Sequence, residues 1–280
     1  MLKQRILTAL VLAPLIIWGV FSLPTLYFSF FILFIIGLAS WEWGHLSGIN
    51  KPVNKALYTL ATLLVSSSLI WLFLITEFFF YVLLVLSSLW WLYRIILIIR
   101  YQNNNEDNAE ITQSGVSCIA ALSVIFSIVI PFYSLIYLRN VYDFPGYMFY
   151  LLMLIWGADI FAYFAGKHFG KNKLAVKVSP GKTWEGAYGA IAGTFIISII
   201  GCYFFQFTIN QSIGFIILSS VIVVISIFGD LSESLYKRQT GIKDSGNLLP
   251  GHGGILDRAD SLMAASPFFV VGLYVLGLLS

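Results

Sequence analysis

The sequence predicts an all-α, polytopic integral membrane protein with about nine transmembrane helices, and three observations carry that prediction. Hydrophobic residues make up 59% of the 280 and charged residues only 10%, whereas a soluble domain needs about 25% charged residues to cover its outside. The apolar residues gather in runs near 20 residues long, enough to cross a bilayer core as helices. The charges fall between the runs, and unevenly. With the N-terminus in the cytoplasm, every one of the sixteen Lys and Arg except Arg139 lies on the cytoplasmic side, as the positive-inside rule requires.

The runs lie near 5–22, 26–41, 56–75, 78–99, 115–138, 146–165, 187–207, 212–229 and 264–280. The first follows Lys3 and Arg5 like a signal peptide, but Ser22-Leu23-Pro24 is a poor cleavage site, so it reads as an uncleaved first helix. The second is short for a span. The fourth contains Arg94, which is expected to snorkel to the membrane surface. Tyr101–Gly115, rich in Asn and carrying Glu106, Asp107 and Glu110, reads as a solvated cytoplasmic loop. Cys118 and Cys202 both fall in apolar helices, as small packing residues rather than a disulfide or metal pair. Asn210-Gln211-Ser212 matches a glycosylation sequon that matters only in a secretory compartment.

No internal repeat is visible. One membrane domain is expected, in two unequal parts. Residues 1–145 supply scaffold helices with short connections. Residues 146–280 supply the catalytic helices and cytoplasmic motif loops, where Gly, Lys, Asp and Ser concentrate.

The first loop constellation runs from Asp159 to Gly186. Asp159 sits within or at the end of an apolar span, where a carboxylate is costly and usually functional; the bland alternative is a side chain reaching the interface beside Lys167. Five lysines follow, with the turn Ser179-Pro180-Gly181 and then Lys182-Thr183, groups suited to holding phosphate oxygens. Gly181-Lys182-Thr183 is not a P-loop, because Val176 occupies the place of its first Gly and the flanks are membrane helices.

The second runs from Asp230 to Asp260. Asp230, Glu233, Ser234 and Lys237 share one side of a continuing helix. Gly246 to Gly254 holds four glycines, Pro250 and His252, and such a loop brings backbone N–H groups close to an anion. Asp257 and Asp260 stand one turn apart, with Arg258 between them. Carboxylates with oxygen-only ligation suit Mg²⁺, and the basic residues balance phosphate charge; the chemistry suggested is metal-assisted phosphoryl or nucleotidyl transfer. By composition alone an ordinary charged loop is an equal reading. His252 has no Cys or second His at zinc spacing.

Ser234-Leu235-Tyr236-Lys237-Arg238, then Lys243-Asp244, then His252-Gly253-Gly254-Ile255-Leu256-Asp257-Arg258-Ala259-Asp260 resembles the signature of phosphatidate cytidylyltransferases. Upstream, Asp159, Ala162-Tyr163, Gly166, Gly170-Lys171, Leu174 and Ser179-Pro180-x-Lys182-Thr183-x-Glu185-Gly186 are similar to the same family. The likeness covers about 100 residues, and Tyr236 and Ala259 depart from the usual aliphatic positions. The N-terminal half matches in hydropathy only.

The resemblance implies an all-helical membrane fold, a homodimer, and a cytoplasm-facing polar cavity. It also implies a two-cation centre held chiefly by Asp230 and Asp257, with Mg²⁺ and a monovalent cation such as K⁺ as the second ion. The reaction expected is CTP plus phosphatidic acid to CDP-diacylglycerol plus pyrophosphate. Lys182, Lys237, Arg238, Lys243 and Arg258 are the expected phosphate contacts, with Ser179 and Thr183 as hydroxyl contacts. Asp159, Asp244, His252 and Asp260 complete the site or orient it. Membrane lipids are the surroundings, a bacterial inner membrane the expected location, and no nucleic-acid partner is expected. Two rivals stand: a CTP-dependent polyprenol kinase, which would release CDP, and a transporter, which would carry charges near the midplane.

Overall fold

The computed structural model describes residues 2–103, 118–141, 145–242, 244–246, 248 and 253–279. Among them the order is α1 (Leu2–Ser22), α2 (Thr25–Leu46), α3 (Pro52–Ile75), α4 (Glu77–Asn103), α5 (Cys118–Leu122), a π-helical turn (Ile125–Val129), α6 (Ile130–Asn140), α7 (Gly146–Phe169), β1 (Lys173–Ala175), β2 (Ser179–Thr183), α8 (Trp184–Phe204), α9 (Ile209–Thr240) and α10 (Leu256–Val275). Seven helical segments are long and apolar enough to cross a membrane: α2, α3 to Ile70, α4, the continuous Cys118–Asn140 segment, α7, α8 and α9. Each predicted run overlaps a helix among the described residues, and the helical membrane fold is as expected; the runs near 5–22 and 264–280 fall on α1 and α10, which are not among the seven. The second run is not short: α2 continues through Trp41-Glu42-Trp43 to Leu46.

The helix ends separate into two faces. Arg139 at the end of α6 bonds the Val20 carbonyl at 3.1 Å and Thr25 Oγ1 at 3.2 Å, and also the Leu23 carbonyl. Tyr147 at the start of α7 donates to the Leu278 carbonyl at 2.8 Å. The opposite face gathers the ends of α2, α7 and α9, the starts of α8 and α10, and the β-hairpin.

Helix α10 is the hub. It packs on α9, α6, α4, α7 and α2, and Ala264, Ala265, Phe269, Val270 and Leu273 are fully buried in it. The Cys118–Asn140 segment packs against that hub and is interrupted by the π-helical turn. Pro131 has no N–H to close a regular turn, and the preceding turn widens to π geometry, a usual site of helix distortion. Carbonyls along this segment take outside donors: Trp43 Nε1 to Ala120 at 2.8 Å, Tyr58 to Ala121 at 2.7 Å, Ser87 to Phe126 at 2.7 Å and Ser266 to Pro131 at 3.0 Å.

Two expectations are corrected. Arg94 does not snorkel; its side chain is 5% exposed, bonds Ser232 Oγ at 3.0 Å and lies 3.8 Å from the Tyr236 ring centroid. A polar acceptor and an aromatic face on α9 compensate the guanidinium better than the short reach to the surface. Ser179-Pro180-Gly181 is strand, not turn: β2 pairs antiparallel with β1, Ala175 opposite Ser179 and Lys173 opposite Thr183. Buried Ala175 and Val178 pin this hairpin to Ile98, Leu231 and Leu235. Pro180 is tolerated because a two-stranded ribbon is all edge.

Candidate functional site

Helix α9 does not stop at the apolar boundary. Its apolar stretch runs on into Asp230, Glu233, Ser234 and Lys237, and it ends at Gly241 in the left-handed conformation, φ +72°. Ser234 Oγ lies 3.4 Å from Asp230 Oδ1 and Lys237 Nζ lies 3.3 Å from Glu233 Oε1, so the expected shared helix face is present. Around that face stand two lysine–aspartate pairs.

The first pair joins the two motif loops. Lys182, at the end of β2, places Nζ 2.6 Å from Asp230 Oδ2 and 3.3 Å from the Ile227 carbonyl. Thr183 follows as the N-cap of α8, its Oγ1 accepting from Gly186 N at 3.2 Å. This pair lines a cavity of about 470 Å³ together with Asp159, Tyr163, Gly166, Lys167, Leu174, Gly181, Thr183 and Ser226. Asp159 is solvent-accessible there. Ser179 is not among the lining residues; it lies two strand positions farther out, opposite Ala175.

The second pair joins α9 to α10. Lys237 Nζ stands 2.7 Å from Asp257 Oδ1. The other oxygen, Oδ2, accepts from Gly254 N at 2.7 Å and from Ser245 N and Ser245 Oγ, both at 3.0 Å. Gly253, at φ +80°, makes this turn possible, and a Cβ there would strike Asp257 Oδ2. Asp257 lies in the first turn of α10, ahead of the apolar run 264–280. Burial there pushes its carboxyl up, but the hydrogen bonds from Lys237 and Gly254 and the lysine charge outweigh this and hold it below the usual carboxylate range.

Between the pairs, buried Asp260 accepts from Ser261 N at 2.7 Å and is within electrostatic reach of Asp230 and Glu233. Asp159, Asp230, Asp260, Glu233 and Asp257 are thus linked neighbour to neighbour by electrostatic reach. Both Glu233 oxygens are buried without a hydrogen-bond partner among the described residues; Lys237 is at ion-pair distance, but off hydrogen-bond geometry.

Other predicted residues fall differently. Arg238 is exposed and donates from Nε to the Val178 carbonyl at 3.4 Å, tying α9 to the hairpin. Asp244 is exposed beside Gly253, and Arg258 is exposed and within electrostatic reach of Asp159. Lys243 and His252 lie outside the described residues.

Among the described residues, no three His, Cys, Asp or Glu side chains converge as a ready-made metal cage. Mg²⁺ does not need one, since it takes one or two carboxylates and completes its shell with water and substrate phosphates. The oxygen-only donors and the orphaned Glu233 carboxylate fit such an ion.

A second recess, about 480 Å³ and almost wholly apolar, lies along α9 where α4, α8 and α10 meet it, between Leu92, Ile95, Ile191, Val221, Val224, Phe228 and Phe268.

Sequence reasoning missed Glu42 and Ser245. Glu42, on α2, is buried and accepts from Ser245 Oγ, Ile255 N and Leu256 N, each at 3.0 Å. The criterion that singled out Asp159, a carboxylate at the end of an apolar run, applies equally to Glu42.

Replacing Lys182 removes the partner of Asp230. Hydrogen bonds to charged groups are worth about 1.5–3 kcal/mol, or about 10–100-fold. Lys182→Ala is expected to lower turnover by that factor, and Lys51→Ala, exposed at the start of α3, by much less. Equal rates in the two purified variants would reduce the β2 lysine to a topogenic charge.

The sequence profile of the cytidylyltransferase family matches residues 3–276. The phosphatidate cytidylyltransferase of Pseudomonas aeruginosa is 39% identical over 279 residues, 99% of this chain and 98% of that protein. That of Haemophilus influenzae is 36% identical over 284 residues, 96% of this chain and 97% of its own length. That of Bacillus subtilis is 42% identical over 149 residues, 51% of this chain and 54% of its own. The likeness carried by the motifs between Asp159 and Asp260 therefore extends over nearly the whole chain.

Proposed function

The chain belongs to the cytidylyltransferase family, and from that premise we propose that it transfers the cytidylyl group of CTP to phosphatidic acid in phospholipid synthesis. The observation that carries the reading is the pairing of Lys182 with Asp230 and Lys237 with Asp257 at one end of helices that run into the membrane. Polyanion chemistry and a lipid-bound substrate need that combination.

A phosphate oxygen of phosphatidic acid attacks the α-phosphorus of CTP. The bond from that phosphorus to the β-phosphate oxygen breaks, pyrophosphate leaves, and CDP-diacylglycerol stays in the membrane. The nucleophile is already an anion near neutral pH, so no dedicated general base is required. The difficulty is to hold two polyanions together and in line. Lys182 and Lys237, fixed by their aspartates, present ammonium groups of set position to phosphate oxygens. Thr183, Gly186 and Ala187 line the cavity beside Lys182. Asp230 and Asp257, with Glu233 and Asp260 between them, would hold Mg²⁺; when bound, it neutralises phosphate charge and stabilises the leaving oxygen. The apolar recess along α9 would take acyl chains while the headgroup reaches the cavity.

Family resemblance is the support for a homodimer and for K⁺ as a second cation. A bacterial inner membrane is the setting suggested by the bacterial relatives. The cytoplasmic position of the site rests on the Lys and Arg distribution. A CTP-dependent polyprenol kinase would release CDP and leave no cytidylyl group on lipid. With purified protein, phosphatidic acid, Mg²⁺ and α-labelled CTP, label is expected in lipid; label found only in CDP would overturn the reading.

Sidedness gives a second test. CTP cannot cross a bilayer unaided, because its charged phosphates are too costly to desolvate. Sealed vesicles with the cytoplasmic side out should use added CTP at once, and inverted ones only after detergent. A cysteine at Asn172 should react with an impermeant reagent only in the first preparation, and one at Asn140 only in the second. The opposite labelling would invert the topology.

A further inference from the structure

We propose that Glu42, on a helix of the N-terminal half, is a positioning residue that sets Asp257 in place for the reaction; this rests on Asp257 serving as proposed above. Three observations converge. Glu42 is 5% exposed, and its carboxylate takes the backbone N–H groups of Ile255 and Leu256, at the start of α10, at 3.0 Å each. N-terminal helix amides need an acceptor, and here it comes from another helix 213 residues away in the chain. Ser245 Oγ then stands 3.0 Å from both Glu42 Oε2 and Asp257 Oδ2, so one hydroxyl bridges the two carboxylates. Finally, the residue after Glu42, Trp43, sets its ring edge-on to Tyr236 at 4.9 Å, one residue before Lys237. Adjacent residues of α2 therefore grip both helices that carry the Lys237–Asp257 pair.

The fit around the carboxylate is close. A Cβ on Gly254 would strike Ser245 Oγ and both Glu42 oxygens, and one on Gly246 would strike Glu42 Oε1. The glycines that frame the motif loop thus make room for this side chain. Glu42 does not touch the cavity between Lys182 and Asp230. Its effect passes through the orientation of Asp257, as an outer partner acts on a group that holds phosphate-bound cations.

The test uses full-length protein in lipid nanodiscs, with kcat, the KM for phosphatidic acid and the Mg²⁺ concentration for half-maximal rate measured for Glu42→Ala, Glu42→Gln, Ser245→Ala and Asp257→Asn. Loss of an outer partner costs about 10–100-fold, so Glu42→Ala should lower kcat or raise the Mg²⁺ requirement by that factor. Lipid KM should stay within about twofold of wild type, because the apolar recess is untouched. Glu42→Gln keeps one acceptor oxygen and should recover part of the loss. Ser245→Ala should reproduce the Mg²⁺ effect in milder form, and it carries the test where Glu42→Ala does not fold. If Glu42→Gln and Ser245→Ala match wild type while Asp257→Asn is inactive, the positioning role falls and the site reading stands. If folded Glu42→Ala matches wild type per mole, the positioning role falls too. If Asp257→Asn is fully active, the site reading falls and the role of Glu42 with it.

Discussion

Asp257→Asn is expected to reduce turnover by more than the roughly 10–100-fold that loss of an outer partner costs, with the protein still folded in the membrane. Four donors surround the carboxylate: Lys237 Nζ on one oxygen, and Gly254 N, Ser245 N and Ser245 Oγ on the other. An amide offers one acceptor oxygen and turns an NH₂ toward either the lysine or the loop. The negative charge that would hold a cation also disappears, so excess Mg²⁺ should rescue poorly. Breaking a buried ion pair from one side costs about 3–5 kcal/mol, but Glu233 Oε1, 3.3 Å from the same ammonium, limits the damage to stability. Label transfer from CTP to lipid measures the rate, and thermal unfolding in detergent measures the fold. Wild-type turnover would remove Asp257 from the reaction.

Gly229→Val is expected to lose both stability and activity, for a reason of space. A Cβ at Gly229 would lie 2.7 Å from Ala264 Cβ, 2.7 Å from the Asp260 carbonyl oxygen and 3.2 Å from Ser261 Cα. All three belong to the fixed part of α10, so nothing can swing aside. Small residues at such crossings let membrane helices approach closely, and this one holds Asp230 beside Asp260. Overpacking typically costs about 1–3 kcal/mol, and a branched side chain against backbone should reach the top of that range. The unfolding midpoint in detergent should fall clearly below that of Gly19→Ala, whose Cβ would meet only Leu23 Cδ1 at 3.7 Å. Equal midpoints would mean that the crossing tolerates separation.

Hydropathy made the helices legible because a membrane leaves a protein few alternatives. The pairing of Asp230, Glu233, Ser234 and Lys237 was legible because α9 continues with unbroken periodicity past the apolar boundary. The hairpin was not. Ser-Pro-Gly reads locally as a turn, and only the burial of Ala175 and Val178 against α4 and α9 makes it a strand. Arg94 was misjudged for a similar reason, since the Ser232 acceptor and Tyr236 ring that hold it are 138 and 142 positions away in the chain. Tyr236, a departure from the aliphatic residue usual at its position, has a visible use: its ring meets both Arg94 and Trp43. Glu42 carries a signal in its own segment, but its partners in the motif loop appear only in three dimensions.

The hub position of α10 bears on how the protein is made. The helices that surround α10 all precede it in the chain, so they enter the bilayer first and must leave a slot between α4, α6 and α9. Because it carries Asp257, Arg258 and Asp260, α10 is not among the seven segments apolar enough by themselves to cross a membrane. Charges oppose insertion from the translocon, less at a helix end than at its centre, and α10 carries three in its first five residues. Its entry therefore depends on the waiting walls of the slot, above all the Gly229 face of α9, rather than on lipid. A nascent chain lacking α10 would have Lys182 and Asp230 but no Asp257. Insertion of α10 would bring Asp257 to Lys237 and so complete the proposed site.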